Sequence, residues 1–196
     1  RESEYGKAVT EMVESWGPYG YNPDMARDYL AKAYAECGVS DDTVITLTMA
    51  FNESDKAWKA TAEYLMEEFP KIFDGKVQIK AVTYAGMSTG DYKQTTNVWD
   101  LSPNDWSRSA SRTYPYTCFY YYLSTYASHP NNYFDEAFEA QYAVCDSVKD
   151  NYDEMLKETA KLEEIDLEKV IHIPVVQEVN YQMFSDRLVL PVDTYV

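Results

Sequence analysis

The residues best suited to chemistry in this chain lie in its middle, in the run Trp99-Asp100-Leu101-Ser102-Pro103-Asn104-Asp105-Trp106. Aromatic rings beside carboxylates are suited to ligand binding, and a pair of carboxylates could also hydrolyse a glycoside. A core strand favours β-branched and aliphatic side chains over rings and acids. Rings and acids are better suited to the carboxyl edge of an α/β sheet, where such folds bind ligands. Equally open is the interpretation that Trp99 belongs to the core and Trp106 covers a loop.

A second aromatic run follows directly, and its rings are Tyr114, Tyr116, Phe119, Tyr120, Tyr121, Tyr122 and Tyr126. Aromatic side chains give large contact area at small conformational-entropy cost, and tyrosine adds a hydroxyl. Those properties favour binding over turnover. A helix that is buried on all sides would explain Phe119 to Tyr122 as well.

The sequence lacks the motifs of common catalytic and cofactor sites. It has no G-x-S-x-G motif and no glycine-rich phosphate loop. Three cysteines, Cys37, Cys118 and Cys145, show no C-x-x-C spacing, so we expect three buried thiols rather than a zinc site or a disulfide framework. His129 and His172 lie far apart in the chain. We therefore predict a protein that is not an enzyme, without a cofactor or a metal site.

The length and the net charge of the chain limit the classes of function that remain. A chain of 196 residues with 45% hydrophobic and 26% charged residues is long enough for one domain or at most two small ones. The net charge of −16 argues against binding to nucleic acid or to an anionic membrane surface. The chain begins at Arg1 and has no apolar run of about 18 residues, so we expect a soluble piece of a longer protein.

The first half of the chain alternates helix and strand patterns. A weak helix over Tyr5 to Trp16 precedes a turn over residues 17–20. The best-marked helix has Asn22 as its N-cap and Pro23 at its first position, and it ends at Gly38. Its predicted apolar stripe consists of Ala26, Leu30, Ala33 and Cys37.

A strand–helix–strand unit comes next. Residues 43–51 alternate in polarity, which predicts a strand with Ile45, Leu47, Met49 and Phe51 on one side. A helix follows, capped by Asn52 or Ser54 and closed by Pro70, in which Trp58, Thr61 or Ala62, Leu65 and Phe69 recur at helical spacing. Val77, Ile79 and Ala81 then form a second strand. A helix of this length between two strands predicts a parallel pair with a right-handed crossover.

The second half is predicted mostly as helix. We expect a short helix near Tyr92, a third strand over residues 98–101 and a helix from Tyr116 to Tyr126. Two further helices are predicted, one capped by Asn131 or Asn132 and the other from Tyr152 to about Ile165. A last strand contains Ile171, Ile173 and Val175, with Pro174 favouring an edge position, and residues 186–196 are expected to be extended.

Several stretches together resemble the second lobe of the oligopeptide- and dipeptide-binding family of extracellular solute-binding proteins of ABC importers. Tyr21 to Leu30 resembles the family's Y-x-P-x-x-A-x-x-L-L helix, and Thr46-Leu47-Thr48 resembles its T-L-x strand. Val98 to Trp106 is similar to the strand that carries aspartate and ends in a ligand-facing tryptophan. The remaining similar stretches are the helix of residues 54–69, Asn131 to Phe138 and His172 to Val175.

The resemblance implies a periplasmic-binding-protein-like (type II) α/β lobe, with a mixed, mostly parallel sheet flanked by helices, over residues 1–196 as one domain. It implies that Trp106 faces the ligand and that Asp100 is structural. Relatives that hold a peptide's amino terminus have an aspartate three residues after this tryptophan, where this chain has Ser109, and Asp105 could replace it. The ligand-binding residues that we predict are Trp106, Asp105, Met87, Ser107, Ser109 and Tyr116.

The same resemblance implies the partners and the location. The ligand is expected to be an oligopeptide or another small solute, held between this lobe and a first lobe outside the chain and then delivered to an ABC permease. The location would be extracytoplasmic, with a lipid anchor on a segment outside this chain. Two alternatives stay open: a carbohydrate-binding or glycoside-processing domain that stacks sugars on its rings, and an aromatic-rich protein-interaction domain.

Overall fold

The computed structural model describes residues 3–96, 98–103, 114–126 and 134–174. These residues fall into two compact units. Residues 11–96 and 98–103 form the sheet-containing unit, and residues 3–10, 114–126 and 134–174 form the helical unit. That the whole chain is one lobe-sized domain stays a prediction.

The elements alternate between helix and strand in the first half and are helical in the second. The α-helices and strands in chain order are α1 (Glu4–Trp16), α2 (Pro23–Cys37), β1 (Ile45–Asn52), α3 (Lys56–Ile72), β2 (Val77–Tyr84), α4 (Thr89–Thr95), α5 (Glu136–Ser147) and α6 (Tyr152–Glu168). Two 3₁₀ segments span Pro18–Gly20 and Pro115–Tyr122. The described chain is therefore a mixture of helices with a small parallel sheet, in agreement with the predicted α/β class.

The sheet-containing unit is built on the parallel pair that the strand–helix–strand pattern predicted. β1 and β2 pair over their full lengths, from Ile45 opposite Val77 to Asn52 opposite Tyr84. α3 covers one face, where Met49, Phe51, Ala62 and Ile79 are buried and Trp58, Leu65 and Phe69 pack against them. The alternation of β1 and the apolar spacing of α3 are thus confirmed, because both sets of side chains meet in one core.

The predicted third strand is reduced to a single bridge. Leu101 pairs in parallel with Met49, and its carbonyl accepts a hydrogen bond from the Ala50 amide at 3.0 Å. The Asp100 and Leu101 amides both donate to the Thr48 carbonyl, at 2.8 and 2.9 Å. Residues 99–101 therefore run alongside β1 in the same direction, although the ladder among the described residues does not lengthen into a strand.

α2 begins and ends as predicted, but its buried face differs. The Asn22 side chain accepts a hydrogen bond from the Met25 amide, and Gly38 ends the helix in the left-handed conformation at φ 62°. Ala33 and Cys37 are exposed, whereas Tyr34 is buried and donates its hydroxyl to the Thr43 carbonyl at 2.6 Å. The predicted stripe was wrong at those two positions. The buried residue on this part of α2 is Tyr34, with its large ring, and not the small side chains of Ala33 and Cys37.

Two helix boundaries also differ from the prediction. α3 is capped by Asp55, whose carboxylate accepts hydrogen bonds from the Ala57 and Trp58 amides, and not by Asn52 or Ser54. Asn52 is still paired in the sheet, so the helix cannot begin there. Pro70 lies inside α3, which continues to Ile72. α5 is capped by Asp135, while Asn131 and Asn132 lie outside the described residues.

The helical unit packs α5, α6 and the second 3₁₀ helix around one core. Its fully buried residues include Phe138, Cys145, Met155 and Leu162. The predicted α-helix from Tyr116 is instead a 3₁₀ helix over Pro115–Tyr122. Three residues per turn place Tyr116, Phe119 and Tyr122 on one face, and Tyr116 and Phe119 are buried there. The sequence did not reveal this period of three, because aromatic residues occur on every face of the segment.

The chain turns back after α6 instead of entering a strand. Val170 has a φ of 52°, and the Ile171 amide donates to the Asp166 carbonyl at 3.0 Å. Neither Ile171 nor Ile173 belongs to a strand in the described structure, so the predicted last strand was wrong at these residues. Val175 and the segment 186–196 lie outside the described residues.

Of the three cysteines, only Cys145 is buried. Cys118 is half-buried and Cys37 is exposed, so the expectation of three buried thiols was wrong for these two. Burial raises the pKa of the Cys145 thiol to about 11, which keeps it protonated as a small core residue at neutral pH. Among the helices in the described parts of the chain, none has the length and apolarity to cross a bilayer.

Two phenylalanines that differ in burial, Phe138 and Phe134, test the packing of the core in the helical unit. Phe138 is 0% exposed and Phe134 is 46% exposed. We expect Phe138→Ala to lower the free energy of unfolding by about 3–5 kcal/mol, because truncating a buried ring leaves a cavity. Phe134→Ala should cost less than about 1 kcal/mol. Urea unfolding followed by circular dichroism measures both, and equal losses would contradict the packing described.

Candidate functional site

The candidate site lies at the carboxyl ends of β1 and β2. Asn52 ends β1, and its amide nitrogen donates to the Met87 carbonyl at 3.2 Å. Its amide oxygen accepts from the amide and the hydroxyl of Ser54 at 3.0 and 2.7 Å. The Glu53 amide donates to the Tyr84 carbonyl at 3.0 Å. Asn52 thus fixes the two loops that leave the sheet at this edge, which is where parallel α/β sheets bind ligands.

Stacked tyrosines support the loop that carries Met87. Tyr84 and Tyr92 stack with ring centroids 4.1 Å apart, and the Tyr84 hydroxyl bonds to the Thr89 hydroxyl at 2.6 Å. Both rings are buried with Ala50, on the opposite face of the sheet from α3. Met87 itself is 41% exposed. A flexible thioether on a rigid support is well suited to contact varied apolar groups.

An aromatic ring and a lysine extend this supported surface. Trp99 packs on the two tyrosines and donates its indole N–H to the Thr96 carbonyl at 3.2 Å. The Lys93 ammonium lies 5.6 Å from the centroid of the Trp99 ring, a cation–π distance. Burial lowers the pKa of Lys93, and no carboxylate pairs with it in the described structure. Our sequence interpretation missed Lys93, since nothing in its local pattern signals this contact.

Asp100 has a structural role, as the resemblance implied. Its carboxylate accepts a hydrogen bond from the Thr48 amide at 2.6 Å, which adds to the two backbone bonds between Thr48 and residues 100–101. The side chain therefore fixes residues 98–103 along β1. Since Asp105 lies outside the described residues, the Asp100–Asp105 pair of the glycosidase alternative is untested.

The structure describes only two of the six predicted ligand-binding residues. Trp106, Asp105, Ser107 and Ser109 lie outside the described residues. Met87 lies at the carboxyl edge of the sheet. Tyr116 belongs to the helical unit, where it is 2% exposed and donates its hydroxyl to Asp146 at 2.7 Å. Burial and the hydrogen bond to Asp146 raise the pKa of Tyr116. Both features are those of a packing residue, and the ligand role of Tyr116 stays a prediction.

No cluster of three metal-ligating side chains occurs within the described ranges. A groove of about 450 Å³ does occur in the sheet-containing unit, lined by residues that include Leu30, Tyr34, Phe73 and Lys76. Lys76 directly precedes β2, so this groove lies at the amino ends of the strands. It is therefore distinct from the candidate site at the carboxyl ends.

Comparisons with known proteins give one informative result. No protein-family model and no curated protein matches the sequence significantly. The structure is similar to the crystal structure of the substrate-binding domain of an oligopeptide ABC transporter from Bacillus anthracis str. Ames, with a TM-score of 0.61 and 19% sequence identity. The match covers 76% of this chain and 28% of that chain. The similarity shows a shared fold over about a quarter of the larger protein.

The Asp100 contact predicts how residues 98–103 are held. We expect Asp100→Ala to speed hydrogen exchange of the Thr48 and Leu101 amides by about fivefold or more, the effect of losing a hydrogen bond of about 1 kcal/mol. Asp100→Asn keeps an acceptor oxygen and should have a smaller effect. Exchange measured by NMR tests this, with the Ile79 amide in β2 as the internal reference. Unchanged exchange at Thr48 in the alanine variant would contradict the structural role.

Proposed function

We propose that this chain is part of a lobe of an extracytoplasmic solute-binding protein that delivers oligopeptides to an ABC importer. The observation that carries the proposal is the fold similarity to the substrate-binding domain of an oligopeptide transporter. A second line of support is independent of it. The sequence places Asp105 and Trp106 a few residues after Leu101, and Leu101 runs parallel to β1 toward the edge where Asn52 and Met87 lie.

The proposed mechanism is capture without covalent chemistry. Trp106, the exposed thioether of Met87 and the polar side chains of Asp105, Ser107 and Ser109 would form one wall of the ligand site. A first lobe would close over the ligand as a hinged partner. Peptide backbone is well suited to such a site because extended segments form strand-like hydrogen bonds while water fills the spaces around varied side chains.

Ligand binding would be linked to transport through the closed state. A ligand that contacts both lobes favours closure by its differential affinity for the closed form. The closed surface would then be recognised by the permease. One lobe supplies only half of the contacts, so we expect this chain by itself to bind peptides weakly or not at all.

The ligand class can be tested on the full-length protein that carries this chain. Material purified without refolding is denatured, and the released small molecules are identified by mass spectrometry. Co-purified oligopeptides would support the proposal. A saccharide in their place would overturn the peptide assignment while leaving the fold intact, and turnover of a glycoside panel would favour the glycosidase alternative.

The role of Trp106 gives a quantitative prediction for the same protein. We expect Trp106→Ala to weaken binding of a synthetic oligopeptide pool by about tenfold or more, because truncating a central aromatic contact commonly removes over about 1.4 kcal/mol. Isothermal titration calorimetry measures the change. Tyr64→Ala is the matched control, since Tyr64 is 63% exposed on α3 and should leave affinity unaltered. Equal affinity in the Trp106 variant and the wild type would remove Trp106 from the site.

A further inference from the structure

A buried pair of ionisable side chains lies at the end of α6 in the helical unit. Asp166 is 0% exposed, and its carboxylate pairs with Nδ1 of His172 in the segment that follows the helix. Fully buried aspartates are rare unless they are paired. The described part of the candidate ligand site does not include either residue.

The pair holds the chain where it reverses direction. Three amides bond back to α6: Lys169 to the Ile165 carbonyl at 2.9 Å, Val170 to Leu167 at 3.2 Å and Ile171 to Asp166 at 3.0 Å. Val170 adopts a φ of 52°, which is strained for a β-branched residue. The reversal brings His172 over the helix. Contacts made by residues 169–172 must therefore offset the cost of this turn.

Aromatic contacts fix the orientation of the His172 ring. It stacks on Tyr122 with centroids 4.9 Å apart and planes 10° apart, and it meets Phe119 edge-on at 6.3 Å. Both aromatic residues belong to the 3₁₀ helix. Their rings exclude water from one side of the imidazole, which strengthens its electrostatic interaction with Asp166.

The groups that can carry charge around this pair come from four segments of the helical unit. α6 contributes Glu163, which accepts a hydrogen bond from the Tyr5 hydroxyl of α1. The 3₁₀ helix contributes Tyr122 and Cys118, both close enough to interact electrostatically with the cluster. Lys169 lies at the surface of the turn, 3.9 Å from Asp135. The buried centre thus contains two carboxyl groups and a single histidine.

This centre is poorly satisfied when both carboxyl groups are ionised. Among the described residues, His172 is the only partner of the Asp166 carboxylate. An ionised carboxylate with so few partners is costly to bury. Burial raises the pKa of Asp166 and of Glu163, and the contacts of Asp166 with His172 only partly oppose this.

We propose that Asp166 and His172 form a proton-operated latch that holds residues 169–172 against α6 and the 3₁₀ helix. The latch is tight when the buried centre carries bound protons and loosens when it loses them. Protonation of Asp166 removes a buried charge that a neutral His172 leaves uncompensated, and protonation of Glu163 removes a second buried charge. Both events favour the closed turn.

The direction of the pH dependence follows from proton linkage. A carboxyl group with a higher pKa in the folded chain than in the unfolded chain binds more protons when folded. Its stabilising contribution is present at low pH and is lost as the pH rises through the folded pKa. Asp166 and Glu163 share this sign. The latch therefore loosens as the pH rises through the folded pKa values of these two carboxyl groups.

The measurement must be local, because the whole chain also responds to pH. Its net charge of −16 decreases in magnitude on acidification, which reduces general repulsion. Hydrogen exchange of the Lys169, Val170 and Ile171 amides reports on the turn alone. Protection factors, corrected for the intrinsic pH dependence of exchange, are compared at about pH 5.5 and about pH 8.

Three variants of the full chain distinguish the latch from general effects. Asp166→Asn removes the buried carboxylate and His172→Gln removes its partner, and each variant keeps the approximate shape and a polar group. Glu164→Gln is the matched control, since Glu164 lies exposed on α6 and loses the same charge. In the wild type and the control we expect protection of the three amides to be about tenfold higher at the lower pH. Asp166→Asn should lower this ratio to the part that Glu163 contributes, and His172→Gln should lower protection at both pH values because it removes the partner of Asp166.

Two results would overturn the latch. One is a wild type whose protection is the same at both pH values, and the other is the wild-type ratio retained in Asp166→Asn. If circular dichroism shows that Asp166→Asn is unfolded, His172→Gln decides. Protection of the three amides equal to that of the wild type at both pH values would then refute the proposal.

Discussion

The parallel pairing of β1 with β2 determines the arrangement of the sheet-containing unit. Parallel strands need a crossover, and α3 provides it while covering one face with Trp58, Leu65 and Phe69. The pairing also brings Asn52 and Tyr84 side by side at one edge. Both loops of the candidate site leave from that edge, so the geometry of the site depends on the strand register.

Hydrogen bonds at Thr48 and Ala50 then attach residues 99–101 to this pair of strands. The Thr48 carbonyl receives the amides of Asp100 and Leu101, and the Thr48 amide donates to the Asp100 carboxylate. Side-chain and backbone bonds act here at the same residue. The arrangement explains why an aspartate rather than a residue with high β-propensity is present at position 100: its carboxylate accepts a hydrogen bond that one isolated bridge does not supply.

The helical unit follows a different principle, in which large rings and buried polar groups share a small core. The 3₁₀ helix brings Tyr116 and Phe119 into contact with the core of α5 and α6. Two of its rings also enclose His172, whose partner Asp166 is fully buried. Ionisable groups in such a core make its stability depend on bound protons, whereas the sheet-containing unit is held mainly by apolar contacts and backbone pairing.

The sequence by itself determined the features that depend on near neighbours along the chain. The Asn22 cap, the Gly38 stop, the alternation of β1 and the apolar spacing of α3 are set by local geometry, and the structure contains all four. Tertiary structure decided which rings are buried, the 3₁₀ form of the run from Pro115 and the return of His172 to Asp166. Those outcomes depend on contacts between residues distant in sequence, and local periodicity cannot predict such contacts.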